Sequence, residues 1–305
     1  VKLARVLGAV GRVMITAGVL ILLFVVYQLW GTGLHTRQAQ DQALDDFNAA
    51  LEQSGVEDLP EVTNDIEPPR RPGRQPIPHA PDHGQQVALI QIPAIGIEQG
   101  YIVHEGVDLD TLQEGPGHYE GTPLPGEEGN AAIAGHRTTY LAPFNRLDEL
   151  GEGDRIVVTY PNGSRFVYQY LNTVIVTPDR TDVLEYKFDN RLTLTACHPK
   201  YSARERIVVS ARLLGHHARR AERDPEQEQV QPQEVDLSGE SLDGEDQPRT
   251  PAVVWGLAAA SVWLAAWAVG RAWRRWPAYA VGLPIFLIML YGFFENFVYL
   301  LPASY

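Results

Sequence analysis

The chain has 305 residues, a formal net charge of -13, one cysteine and a mean hydropathy of -0.17. A single cysteine excludes an internal disulfide framework. The charge excludes little, because two solvated segments carry it: residues 41–67 hold nine acids and no Lys or Arg, and residues 219–249 hold ten acids against four arginines.

The first apolar run is Val13–Trp30. Its length is near the roughly 20 residues that a bilayer-spanning helix needs. Lys2, Arg5 and Arg12 precede it, and no base follows before Arg37, which predicts a cytoplasmic N-terminus. The run exceeds a usual signal core, and no small-x-small site directly follows Trp30, so a retained anchor is favoured over a cleaved signal peptide. Residues 1–35 are therefore expected to be a cytoplasmic start and an anchor.

Residues 36–86 read as an extracellular spacer. Gln38–Leu51 could form a short polar helix, and the Pro- and Arg-rich stretch from Pro60 predicts an extended, semi-rigid chain.

Residues 87–215 are the size of one ordinary domain and read as mainly β. Strands are predicted at Ala88–Ile92, Ile97–Val103, Ala131–Ala134, Arg155–Tyr160, Arg165–Val176, Arg191–Cys197 and Ile207–Leu213. Pro161-Asn162-Gly163 predicts a hairpin turn, and Asp108–Gln113 and Pro143–Leu150 predict short helical turns. Many strands joined by turns suggest a sandwich or a barrel.

Three places in this domain carry candidate chemistry. Gly117-His118-Tyr119 lies in a Gly- and Pro-rich loop. Gly135 would let the chain turn after the buried strand Ala131–Ala134, so that His136 projects from its end. In Arg191–Cys197, Leu192, Leu194 and Ala196 alternate with Thr193 and Thr195, and Pro199 ends the ladder soon after Cys197. The lone thiol thus falls at a sheet rim, and Arg206 opens the next strand.

Residues 216–250 read as an acidic linker. Pro251–Gly270 and Pro277–Leu301 are two more runs of spanning length within residues 251–305, a two-helix hairpin. The basic, tryptophan-flanked turn Arg271–Trp276 between them is expected in the cytoplasm. Both charge signals agree on one multi-pass topology, with the central domain outside the plasma membrane. Glu295-Asn296 in the last span are expected to bond another helix or mark the span's outer end.

Thr193-Leu194-Thr195-Ala196-Cys197, followed by an arginine on the next strand, resembles the signature of the sortases, cysteine transpeptidases that attach proteins to Gram-positive cell walls. Four of five positions match the Thr-Leu-x-Thr-Cys pattern, and Ala196 stands where the second threonine is usual. Ala134-Gly135-His136 also matches. Gly117-His118-Tyr119 and the continuation Cys197-His198-Pro199-Lys200-Tyr201 are similar to the class E sortases of actinobacteria. The resemblance spans Val87–Leu214 and implies an eight-stranded β-barrel. The Asp-Pro-aromatic lid tripeptide of pilin-building sortases and the Ser-x-Gly-Cys-Arg type motif of L,D-transpeptidases are both absent from the sequence.

The resemblance implies that Cys197 is the nucleophile, His136 the acid/base and Arg206 the oxyanion donor. Spacing alone leaves Arg204 open as the arginine; the family pattern chooses Arg206. A charged His136 and Arg206 near the thiol would favour the thiolate. His198 should face away from the partner site, because neighbours on a strand point to opposite sides. His216 and His217 read as solvated. Tyr119 would contact the sorting signal, and Thr195 and Ala196 are assigned to substrate binding. The implied reaction cleaves an LAxTG- or LPxTG-like signal between Thr and Gly and needs no cofactor. The implied partners are secreted proteins bearing that signal, a peptidoglycan precursor amine and the lipid bilayer; nucleic acid is not among them. The competing reading from another class is a non-catalytic, membrane-tethered binding module.

Overall fold

The computed structural model describes residues 2–56, 61–67, 77–215, 250–273 and 275–298. They divide into two compact units, one built on residues 2–31 with 250–298 and one on residues 32–215. The acidic linker, His216 and His217, residues 68–76 of the Pro-rich stretch and Arg274 of the basic turn lie outside the described residues.

The first unit is helical. α1 is Lys2–Val26, α4 is Thr250–Ala272 and α5 is Arg275–Val298; α2 and α3 belong to the other unit. α4 and α5 are long and apolar enough to cross a bilayer, at 23 and 24 residues. The apolar part of α1 is shorter, Val10–Val26. The helical path does not stop at Trp30: a π turn, Tyr27–Gly31, carries it onward. Ala252, Ala259 and Ala266 of α4 are buried seven residues apart. That repeat keeps one seam against the neighbouring helix. Small residues let the helices close up: a Cβ on Gly282 would meet Ala266, and one on Gly292 would meet the Trp255 ring. Phe24 of α1 packs edge-on against Phe294 and Phe297 of α5, at ring distances of 5.2 and 5.7 Å. The Asn296 amide donates to the Gly292 carbonyl of its own helix at 2.8 Å.

The second unit is a closed barrel of eight strands. They are β1 Gln86–Ile92, β2 Ile97–Glu105, β3 Gly117–His118, β4 Asn130–Ala134, β5 Arg155–Thr159, β6 Arg165–Val176, β7 Arg191–His198 and β8 Glu205–Leu213. Around the barrel they run β1-β2-β3-β4-β7-β8-β6-β5, and β5 closes on β1. Closure leaves no free sheet edge. Two pairs, β2–β3 and β4–β7, are parallel; the others are antiparallel. Seven of the strands fall where alternation predicts them. The eighth, β3, has two residues, too few to show a period. Alternate residues fill the barrel: Ile90 and Ile92, Ala131 and Ile133, Val158, Leu192, Leu194 and Ala196, and Val209 and Ala211 share one core. α3, Leu109–Glu114, is capped by the Asp108 carboxylate, which accepts from the amides of Asp110 and Thr111.

The stretch read as a spacer differs from its expectation. α2, Thr32–Gln53, is a full helix in the same unit as the barrel. Ala43, Phe47 and Leu51, four residues apart, form a stripe buried against Leu89 and Ile102. Residues 61–67 pack as well: Val62 joins Val157 and Val167, and Asn64 bonds Asp154 and the Arg155 amide. On its β3 side, β2 last bonds to the chain through His104, whose amide donates to Pro116 O at 2.9 Å. The Gln40 side chain supplies the next rung. Its Oε1 accepts from the Ile102 amide at 2.8 Å, and its Nε2 donates to the carbonyls of Ile102 and Glu114 at 3.0 and 2.9 Å. An amide side chain thus replaces a missing strand partner.

Gln40→Leu keeps the volume of that side chain and leaves the Ile102 backbone groups buried without partners. It should lower stability by about 1–3 kcal/mol, read as an earlier urea midpoint in far-UV circular dichroism. An unchanged midpoint would mean that Gln40 does not hold α2 to the barrel.

Candidate active site

The parallel pairing of β4 with β7 builds the site. It sets Ala132 beside Thr193 and Ala134 beside Thr195, and the Gly135 amide extends the ladder to Thr195 O at 3.1 Å. Because the strands are parallel, both end at the same rim. His136 leaves β4 there, and Cys197 lies near the end of β7. β8 returns antiparallel and places Arg206 directly across from Cys197. Leu192, Leu194 and Ala196 face the core, so Thr193, Thr195 and Cys197 face outward. The outer face of β4 meets Tyr119, Leu112 and Leu184 in a second, smaller apolar cluster with Ala132 and Ala134.

Gly135 serves space rather than a turn. A Cβ there would lie 2.6 Å from the Phe144 ring, and the Phe144 amide donates to His136 O at 3.1 Å. The loop that follows is strained: Tyr140, Leu141 and Ala142 hold φ of 50, 62 and 47°. Left-handed backbone costs a non-glycine residue on the order of 1–2 kcal/mol. Three in a row persist only if their surroundings hold them.

Cys197 is a free thiol, partly buried. Burial pushes its pKa above the ordinary value, and the opposing charges of Arg206 and Arg137 do not offset that. His136 is buried, and burial pulls its pKa down to about 4. It is therefore neutral at pH 7 and supplies no charge to the thiol. The expected bias toward thiolate is thus absent from the free protein, because burial outweighs the arginines. His136 Nδ1 lies 3.4 Å from Thr139 Oγ1, and Nε2 is buried without a partner among the described residues. Its ring packs against Tyr140, with centroids 4.7 Å apart.

The structure separates the two arginines. Arg206 is buried beside Cys197 in register, and its Nη1 donates to the carbonyls of Ala203 and Glu205 at 2.9 and 3.3 Å. Arg204 is exposed. The Tyr119 hydroxyl and Thr195 Oγ1 are hydrogen-bonded at 2.9 Å, and both residues are buried. Ala196 is not brought to this face; its methyl sits in the barrel core. Cys197, Arg206, Thr195 and Tyr119 thus share the outward face, with His136 at its rim.

Two supporting groups were not foreseen. Arg137 is buried beside His136 and ties the two strand ends together. Its Nη1 donates to Cys197 O at 3.3 Å and lies 3.4 Å from His198 Nδ1; its Nη2 pairs with Asp148 at 2.7 Å. His198 is thereby engaged with Arg137. The signal for Arg137 was only its place next to His136. His118 is the second group: its Nδ1 meets the Glu105 carboxylate at 2.9 Å, and its Nε2 lies 3.0 Å from Pro123 O. Burial acts to lower the His118 pKa, but the bond to Glu105 prevails and raises it. The buried bond between His118 and Glu105 holds the loop that carries Tyr119.

Comparison with known proteins adds the family. A family model described as "Sortase domain" matches residues 90–214. Sortase SrtE1 of Streptomyces coelicolor is 32% identical over 222 residues, 68% of this chain and 56% of the relative. The chain thus spans a little over half the length of that relative. Sortase SrtE2 of the same organism is 28% identical over 69% of this chain and 83% of its own length. A solved sortase E from Streptomyces avermitilis is 31% identical with a TM-score of 0.39, over 44% of this chain and 91% of that one.

The raised thiol pKa gives a direct expectation. Alkylation of Cys197 by iodoacetamide should quicken about tenfold per pH unit from pH 6 to 8.5, because only thiolate reacts. A plateau near neutral pH would mean that the thiolate is already formed in the free protein.

Proposed function

The chain belongs to the sortase family, and from that premise we propose that it is a membrane-anchored, class E-like cysteine transpeptidase. It would cleave an LAxTG- or LPxTG-like signal between Thr and Gly and pass the acyl group to an amine of the peptidoglycan precursor. The observation that carries this reading is the register pair of Cys197 and Arg206 beside the β4 end that bears His136.

In this reading the Cys197 Sγ attacks the threonine carbonyl carbon while its proton passes to His136. Both groups start neutral, so that transfer accompanies the attack rather than precedes it. Negative charge builds on the carbonyl oxygen, where Arg206 stabilises it. A guanidinium stays charged at any working pH and donates in a fixed fork. The C–N bond then breaks, and His136 gives its proton to the departing glycine amine. A thioester remains. The incoming amine gives a proton to His136 and attacks the thioester carbon, the C–S bond breaks, and the thiolate takes the proton back.

Tyr119 and Thr195 would meet the sorting peptide on the same outward face. The Tyr119 oxygen, with one hydrogen bond made to Thr195, keeps a lone pair for a backbone N–H of the peptide. Alanine at the second position of the signal offers that N–H and proline does not.

α4 and α5 support membrane attachment by their length and composition. The bases Lys2, Arg5 and Arg12 ahead of the apolar part of α1, and those around Arg271, support a topology with residues 87–215 as the extracellular catalytic domain and residues 251–305 as a hairpin in the plasma membrane. α1 would serve as the N-terminal anchor. Substrates would be secreted proteins carrying the signal.

Steady-state cleavage of an LAxTG peptide tests the roles. Cys197→Ala should abolish it, and His136→Ala and Arg206→Ala should each lower kcat/KM at least ~10²-fold. Arg206→Lys should not restore the rate, whereas Arg204→Ala should leave it within about twofold. Cleavage by Cys197→Ala would exclude the thioester route, and a binding module would cleave nothing.

A further inference from the structure

The loop after His136 is held in an unfavourable backbone by a helix distant in sequence, and that helix has no part in the chemistry described above. The backbone of Tyr140, Leu141 and Ala142 is left-handed at all three residues. Local bonds account for part of the hold: the Ala142 amide donates to Thr139 O at 2.7 Å, and Asn145 Nδ2 donates to Arg137 O at 2.7 Å. The rest comes from the start of α2. The Tyr140 amide donates to Thr32 Oγ1 at 3.4 Å. Leu141 packs on Gly33, where an added Cβ would come within 3.2 Å of Leu141 Cδ2. α2 is itself fixed on the barrel unit: Thr36 Oγ1 donates to Gln113 O at 2.7 Å, and Gln40 bonds Ile102 and Glu114 one turn on. So the loop conformation is imposed from a rigid support. Its consequence falls on one side chain. The buried Tyr140 ring lies tilted at 38° against the His136 imidazole, with centroids 4.7 Å apart. The imidazole Nδ1 lies 3.4 Å from Thr139 Oγ1, and its buried Nε2 has no hydrogen-bond partner among the described residues. The Tyr140 ring packed on the imidazole limits the directions that the imidazole can take.

We propose that Tyr140 is the positioning residue for His136, and that Thr32 and Gly33 at the start of α2 are the clamp that keeps Tyr140 in place. This rests on the reading of His136 as the acid/base. Tyr140 acts through the imidazole, by fixing the direction in which the proton is taken and returned. A misdirected imidazole costs rate in the chemical step and not in peptide binding.

The test is a double-mutant cycle on the full chain in detergent, read as kcat and KM for cleavage of an LAxTG peptide. Tyr140→Ala should lower kcat roughly 10- to 100-fold with KM unchanged within about twofold. Tyr140→Phe, which keeps the ring, should restore most of that loss. In a His136→Ala background, Tyr140→Ala should cost less than about twofold, because the residue it orients is gone. Thr32→Val, isosteric, should lower kcat about 3- to 10-fold; it keeps the test informative if Tyr140→Ala does not fold. Equal losses in both backgrounds, or a rise in KM in place of the fall in kcat, would overturn the proposal by making Tyr140 a packing or peptide-binding residue. Full activity in Tyr140→Ala and Thr32→Val would overturn it outright. A His136→Ala protein as active as the parent would remove the acid/base reading itself, a failure distinct from the others because it appears before Tyr140 is touched.

Discussion

The site depends on one constraint, the parallel ladder between β4 and β7. Antiparallel neighbours would put the end of β4 and the end of β7 at opposite rims of the barrel. The parallel register from Asn130 with Arg191 to Ala134 with Thr195 brings them together. It also fixes which side chains face out. A slip of one residue in β7 would turn Cys197 into the core and Ala196 out to the groove. Leu192 and Leu194 resist that slip, because both are fully buried and would be driven onto the polar face. The large apolar residues of the barrel interior thus aim a thiol that they do not touch.

Burial sets the electrostatics. The arginines near Cys197 are close enough to matter, yet desolvation of the thiol prevails, and His136 loses its charge for the same reason. The free protein therefore holds a neutral thiol and a neutral imidazole. Positive charge at the site is carried by the guanidiniums of Arg206 and Arg137. Each donates to backbone carbonyls, Arg137 to those of Asn145 and Cys197, and Arg206 to those of Ala203 and Glu205, so charge and backbone geometry are fixed by the same bonds. The buried Glu105–His118 bond likewise fixes the backbone next to Tyr119.

Much of this was legible in the residues. Apolar runs and alternation between turn signals located seven strands, and Arg165–Val176 is observed with its expected bounds. The Thr-Leu-Thr-Ala-Cys and Ala-Gly-His stretches carried the chemistry, and Asp108 marked the start of α3. Other features were hidden for physical reasons. Parallel pairing has no local signature, because it joins segments about sixty residues apart. The burying stripe of α2 is only three apolar residues among acids and glutamines, so its packing was not separable from a solvated helix. β3 is too short to show a pattern. Arg137 carries no local pattern beyond its place next to His136. The facing of Ala196 was legible all along: its alternation with Thr195 and Cys197 already sent its methyl to the other side of the strand.

The central claim is that Cys197 forms a thioester with the threonine of a sorting signal. Intact-mass measurement of the full chain, acid-quenched seconds after mixing with an LAxTG peptide, tests it most directly. A mass gain equal to the acyl fragment ending at threonine is expected, carried on digestion by the fragment containing Cys197 and removed by hydroxylamine. Peptide cleavage without that adduct, or an adduct ending at any other residue of the signal, would contradict it.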